Sequence, residues 1–342
     1  MRAVAAAISL AVVFASLAFP ESATAQDRRP DPSPVAQTID RGLAFLVKDG
    51  LAWKNEHSCV SCHHAGMVVW AMREAKQRGH SVDEQVLADF TSWIAKSGDG
   101  KTGVARPASA PKALNTKALY YALALGSDPK PDSASREGMK LWLKTMREDQ
   151  LENGSWAAWP ETRAPLFGDS NDSMTSLATL AMTVAAESTD KEAKTVRDKG
   201  IQWLASASID DEAQSVAIRL VLWKRLNRPD AESEPLIRRI KDRQNADGGW
   251  SQTPKMPSDA WATGQALYAL GHTEWKADDP AVARGQAFLI ATQRDDGSWP
   301  MTSRPTKPNG EGAKNLIPII GAGSAWAVLG LTRSLSGSHD HP

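Results

Sequence analysis

The chain holds two cysteines, three positions apart, in the run Ser58-Cys59-Val60-Ser61-Cys62-His63-His64. Two thiols on one turn of backbone can each add to a vinyl group of one porphyrin. The histidine that follows the second thiol can then bring an imidazole nitrogen to the iron. C-x-x-C-H is the spacing of covalent haem attachment for that reason. On this reading Cys59 and Cys62 hold haem c, and His63 is the axial ligand of its iron. Other chemistries suit the same residues. His57, Cys59, Cys62, His63 and His64 offer enough nitrogen and sulfur donors for zinc. In an oxidising compartment Cys59 and Cys62 can instead close a disulfide. His64 and Met67 are too close to His63 along the chain to reach the opposite face of one haem. A sixth ligand would come from His57, Met256 or Met301, or the position stays open. Two strong ligands favour electron transfer, and an open site permits ligand binding or peroxide chemistry.

Other catalytic signatures are missing from the sequence. It contains no H-E-x-x-H, no G-x-S-x-G, no phosphate-binding Gly-Lys loop and no dinucleotide fingerprint. His339-Asp340-His341 reads as a solvated tail. Lys plus Arg equals Asp plus Glu, 40 of each, so overall charge gives no reason to expect nucleic acid or an anionic membrane as partner.

The N-terminus predicts export. Arg2 precedes an apolar run from Ala3 to Phe19, and Ala23-Thr24-Ala25 is a small-x-small cleavage pattern. Residues 1–25 are therefore expected to be a signal peptide cleaved near Ala25/Gln26, leaving a soluble periplasmic or secreted chain without a membrane span. Residues 26–38, beginning Gln26-Asp27-Arg28-Arg29-Pro30, read as a Pro-rich linker. Residues 39–335 then form one domain, and 336–342 a flexible tail.

Helix pairs must position the motif. Six segments have the apolar spacing of an amphipathic helix: Arg41–Lys48, Leu87–Lys96, Arg136–Arg147, Val196–Ala205, Pro235–Arg243 and Val282–Ala291. Each is followed by a second segment rich in Ala, Leu and Gly, near Ala65–Ala75, Asn115–Leu125, Met174–Ala185, Glu212–Leu222, Ala260–Leu270 and Gly323–Leu331. The second set carries few charges, so it is expected to form an inner ring inside the first. Three turns share one pattern, Q-x-x-[D/N]-G-x-W: Gln150 to Trp156, Gln244 to Trp250 and Gln293 to Trp299. Asp or Asn with Gly suits the left-handed backbone of such turns. Arg41-Gly42-Leu43-Ala44-Phe45-Leu46 also repeats as Arg284-Gly285-Gln286-Ala287-Phe288-Leu289. Six pairs close into an all-α, single α/α toroid, with an open solenoid as the alternative.

These turns resemble the QW repeats of the terpenoid cyclase and protein prenyltransferase superfamily, typified by squalene–hopene cyclase, here joined to a c-type cytochrome-like C-x-x-C-H. The resemblance implies a toroid over about Asp40 to Leu335. It also directs attention to the cavity rim. Cyclases that start by protonation resemble one another in a D-x-D-D motif. The nearest match is Asp169-Ser170-Asn171-Asp172, which places Asn171 at the acid position. An amide cannot deliver that proton. Where prenyltransferases hold zinc, Asp259-Ala260-Trp261 puts Trp261 in place of the cysteine. Asp169, Asp172, Asp259 and Trp261 remain candidate rim residues, and helix capping is the other role for the aspartates. Three functions follow as expectations. The first is an exported toroid with one haem at its mouth, serving a redox partner or a small apolar ligand. The second is a toroid enzyme acting on a terpenoid, apolar or sugar substrate. The third is an envelope interaction module with zinc or a disulfide at the Cys pair.

Overall fold

A computed structural model describes residues 33–57, 61–97, 112–158, 165, 170–186, 191–274, 279–304 and 315–335. The expected signal peptide, the tail, Cys59 and Asp169 lie outside the described residues. The chain alternates outer and inner helices. The outer set is α1 (Pro34–Glu56), α3 (Glu84–Lys96), α5 (Ser133–Asp149), α7 (Lys191–Ser206), α9 (Asp230–Asp242) and α11 (Pro280–Thr292). The inner set is α2 (Met67–Gln77), α4 (Thr116–Gly126), α6 (Asn171–Ala186), α8 (Ala213–Arg225), α10 (Ala260–Leu270) and α12 (Ile317–Arg333). A π-helical turn, Cys62–Gly66, leads into α2. Each inner helix packs on the next, and α12 packs on α2, so the ring closes and the open solenoid is ruled out. Every residue of α10 is buried, whereas outer helices such as α5 keep one wet face. Among the described residues no helix is long and apolar enough to cross a membrane.

Several helix boundaries differ from the sequence expectation. The linker ends sooner, because Ser33 caps α1 by accepting from the Ala36 N–H (3.2 Å) and Pro34 fits the first helical position. The fifth outer helix starts at Asp230 instead of Pro235. Asp230 and Glu232 favour its N-terminus electrostatically, and Pro235 is carried inside. The last inner helix begins at Ile317, six residues before Gly323. A two-residue hairpin was not anticipated. Strand β1 (Trp250–Ser251) pairs antiparallel with β2 (Ser258–Asp259), setting Trp250 opposite Asp259.

The repeated turn is a clamp between neighbouring units. Each Gln side chain donates to the carbonyl of its own turn's Gly and to a carbonyl of the next outer helix. Gln150 reaches Gly154 and Val196 (both 2.9 Å), and Gln244 reaches Gly248 (2.7 Å) and Ala281 (2.8 Å). Gln293 reaches Gly297 (3.1 Å) and Thr38 (3.0 Å), which joins the last unit to the first. Each Trp indole N–H donates backwards to its own outer helix, at the carbonyls of Met146, Ile240 and Leu289. Its ring lies on a glycine of the next outer helix. A Cβ added at Gly200, Gly285 or Gly42 would come within 2.7–3.0 Å of Trp156, Trp250 or Trp299 respectively. Arg41 donates to the Gln293 amide oxygen (2.6 Å), and Arg284 does the same to Gln244, which explains the matching Arg-Gly segments.

Two glycines separate backbone strain from contact. Gly79 and Gly297 both have positive φ (85° and 86°). An added Cβ at Gly79 meets nothing within 4 Å, but at Gly297 it strikes the Arg41 backbone. Gly79→Ala is expected to cost about 1 kcal/mol from left-handed strain, and Gly297→Ala about 1–3 kcal/mol beyond that from overpacking. Urea unfolding at constant m-value checks this, and equal losses would remove the contact explanation.

Candidate functional site

In a ring of up-down pairs, every loop from an outer to an inner helix emerges at one end. Cys62, His63, Asp172 and Asp259 share that end. Ser61 opens the π-helical turn, its hydroxyl accepting from the His64 N–H (3.4 Å). The same hydroxyl lies 3.0 Å from His63 Nδ1, and Cys62 Sγ lies 3.6 Å from that nitrogen. His64 is buried. Its Nδ1 meets Asp49 Oδ2 at 2.6 Å, and its ring stacks on Trp53 with centroids 4.3 Å apart. His64 Nε2 is buried without a hydrogen-bond partner. The approach of α1 depends on Gly50, where a Cβ would sit 2.6 Å from the His64 carbonyl. Gly321 of α12 leaves room on the other side, its added Cβ falling 3.2 Å from Asp49 and 3.6 Å from His64.

Cys62 is buried beside Tyr120 of α4, whose phenol is pushed up by burial and then by the Cys62 sulfur. His57 stacks on Trp53 (3.8 Å). Met301 is buried against Gly323 of α12, so it serves packing. Among the described residues no three His, Cys, Asp or Glu side chains converge as a metal site, so zinc would require Cys59 as well.

The rim residues have structural partners. Buried Asp172 pairs with Arg219 of α8 and accepts from the Asp210 N–H (3.1 Å). Asn171 accepts from the Ala158 N–H (3.0 Å), so this amide holds the loop. Asp259 caps α10 by accepting from the Ala262 N–H (2.9 Å), and Gln252 donates to its other oxygen (2.5 Å). Arg304 donates to Gln252 (2.8 Å) and faces Glu212 at 3.3 Å. Burial raises the Asp259 carboxyl to about 6, against the lowering effect of its hydrogen bonds and Arg304. Trp261 is fully buried, edge-on to Trp326 at 6.1 Å, and belongs to the wall of the ring. The sequence reading passed over Arg219, Gln252 and Arg304. A lone arginine among the apolar residues of Ala213–Trp223 was the available signal for Arg219, since a buried guanidinium requires a carboxylate.

This architecture is an α/α toroid shared by unrelated chemistries. No family model matches the chain. It is 40% identical over 81 residues to squalene–hopene cyclase of Bradyrhizobium diazoefficiens, a match covering 19% of this chain and 12% of that protein. The chain thus spans about an eighth of the length of the curated relative it matches. Its fold is similar to a type II terpene cyclase from Scytonema (TM-score 0.55, 14% identity, covering 88% of this chain and 97% of that one). It is also similar to an unsaturated glucuronyl hydrolase from Bacillus sp. GL1 (TM-score 0.60, 13% identity, covering 87% and 96%). These likenesses show the fold.

Asp259 should leave a pH signature. Its folded pKa, about 6, lies above the ordinary 3.8. Between these values the native chain keeps a proton that the unfolded chain has released. Stability from this group is therefore full below pH ~4 and lost as pH rises through about 6. The span corresponds to at most about 3 kcal/mol. Asp259→Asn keeps a capping oxygen, so its unfolding free energy should lack this slope between pH ~4 and ~6.5. A variant with the wild-type slope would assign the proton elsewhere.

Proposed function

We propose that the protein is an exported toroid that carries one covalent haem on Cys59 and Cys62, with His63 on the iron, in electron transfer or ligand binding. The observation that carries this reading is the Ser61 hydroxyl at 3.0 Å from His63 Nδ1, on a π-helical turn that also holds Cys62. A partner at Nδ1 orients the ring and leaves Nε2 as the coordinating nitrogen, as metal-binding histidines require. π-helical turns are rare and recur at functional sites. The donors suit the group: two thiols and an oriented imidazole. When bound, haem supplies one-electron or ligand-binding chemistry. The protein's part is to hold the imidazole, anchor the turn through Asp49–His64, and restrict water around the buried Cys62. Because folding buries that sulfur, Cys62 would be open to haem attachment only before the turn packs beside Tyr120.

A second reading rests on Asp259. A buried carboxyl near pKa 6 has the property of a general acid. The terpene cyclase and the glucuronyl hydrolase named above have the same fold, so an apolar or sugar substrate at this rim is the rival. The commitment of Asp259 to capping and to Gln252 weighs against it.

Export of the full chain in cells with a haem-attachment system tests the first reading. The expected product has the mass of one added haem and a Soret band that survives acid–acetone extraction. Both should vanish in Cys59→Ala/Cys62→Ala, while folded, haem-free chain should take up no covalent haem afterwards. A colourless wild-type product with the mass of its amino acids alone would refute the reading. In that case substrate turnover abolished by Asp259→Asn would favour the second.

A further inference from the structure

The first of the three clamped turns differs from the other two in one chemical group. It carries Asn153-Gly154 where the later copies carry Asp247-Gly248 and Asp296-Gly297. The three turns are otherwise bonded alike. The side-chain oxygen accepts from the backbone N–H two residues on: Asn153 from Ser155 (3.0 Å), Asp247 from Gly249 (3.0 Å) and Asp296 from Ser298 (2.9 Å). A serine hydroxyl donates to the same oxygen in each turn, from Ser155 (2.8 Å), Ser258 (2.8 Å) and Ser298 (2.7 Å). Each glycine N–H donates to the carbonyl three residues back, at Leu151 (2.9 Å), Asn245 (3.0 Å) and Arg294 (3.0 Å). Asn153 itself is exposed, and the glycine that follows it is buried.

Asn followed by Gly is a reactive pair, because no side chain shields the glycine nitrogen. That nitrogen attacks the Asn side-chain carbonyl carbon. A new N–C bond closes a five-membered imide, and the side-chain nitrogen leaves as ammonia with the glycine N–H proton. Water then opens the imide at either carbonyl, giving aspartate or its β-linked isomer. The Asp copies are poorer substrates, since closure must expel water from a protonated carboxyl. The Ser298 hydroxyl, then its N–H, hold the Asp296 carboxyl below the usual carboxylate range, so it stays ionised. Three contacts oppose the reaction at Asn153 in the closed ring. The attacking N–H is committed to Leu151, and the Asn153 oxygen is held by both donors of Ser155. The Gly154 backbone lies on α7, where an added Cβ would sit 2.6 Å from the Lys199 carbonyl, and the Gln150 amide joins Gly154 to Val196. Closure of the imide turns the Asn153–Gly154 peptide and breaks these contacts.

We propose that Asn153 is a self-modification site gated by the seam between α5 and α7. The closed clamp protects the amide, and local opening of this one turn lets the chain convert it. The aspartate product restores the oxygen that the other two turns already use, so the seam can close again. The β-linked product adds a methylene to the backbone, moves Gly154 out of register with Gln150 and leaves the seam without its bridge. The site is independent of both functional readings, since it lies on an outer seam and uses no residue of the mouth.

Peptide mapping by mass spectrometry reads the conversion as an amide-to-acid mass gain, and separates Asn153 from the other Asn-Gly step, Asn309-Gly310. In mildly alkaline buffer the folded wild-type chain should convert at Asn153 about tenfold or more slowly than the same chain in guanidinium, in proportion to how rarely the turn opens. Gln150→Ala removes the bridge of this seam and should speed conversion several-fold. Gln244→Ala removes the equivalent bridge elsewhere and should leave the Asn153 rate near that of wild type. Asn153→Asp should melt within about 2 °C of wild type. Equal rates in the folded and unfolded wild-type chain would overturn the gate, and this comparison does not depend on any variant folding. Equal acceleration by Gln150→Ala and Gln244→Ala would overturn it too, by assigning the opening to the whole ring.

Discussion

The structure depends on how one outer helix is fastened to the next. Apolar packing is non-directional, so the core that runs through the described helices does not by itself fix the angle between units. The Gln–Gly–Trp turn supplies that angle. Its amide bridges two carbonyls on adjacent units, its Gly backbone lies against the next helix, and its indole rests on a glycine there. The Gln293 copy spans 255 positions to reach Thr38, and this contact helps turn an arc into a closed ring. Closure in turn sets α12 against α1 and the π-helical turn, with Gly321 beside Asp49 and His64. The geometry of the candidate site is therefore a consequence of a contact far away in sequence.

Much of this was legible from residue order. The three Q-x-x-[D/N]-G-x-W copies and the two Arg-Gly segments identify the repeat, because each is a local pattern with a local backbone requirement. The poverty of charge in alternate helices gave the inner ring correctly. The site was less legible. Asp49 and His64 stand 15 positions apart, and nothing in either segment announces the pair. Glu74 and Arg333 lie 259 apart, and Gln252 meets Arg304 across 52. Such pairs exist only once the ring has closed. The start of α1 was readable in Ser33-Pro34, yet the proline content before it favoured an extended segment.

The aspartates at the mouth show why family position is a weak guide to chemistry. A helix start leaves N–H groups unpaired, and a carboxylate there is stabilising whatever the protein does. Asp172 and Asp259 stand at such starts and carry further partners, Arg219 in one case and Gln252 with Arg304 in the other. A catalytic carboxylate must leave an oxygen to the substrate. Both oxygens of Asp172 are engaged, by Arg219 and by the Asp210 N–H, and both oxygens of Asp259 by Ala262 and Gln252.

The up-down topology also makes the ring polar along its axis. All the inner helices run the same way, so their dipoles add instead of cancelling. The chain answers that field at both ends. Ser61, Asn115 and Asp259 place acceptor oxygens at the N-termini. Arg78, Arg225 and Arg333 place cations at the C-termini. His272 reaches the same end, packed edge-on to Tyr268, and burial followed by the nearby arginines keeps its imidazole neutral.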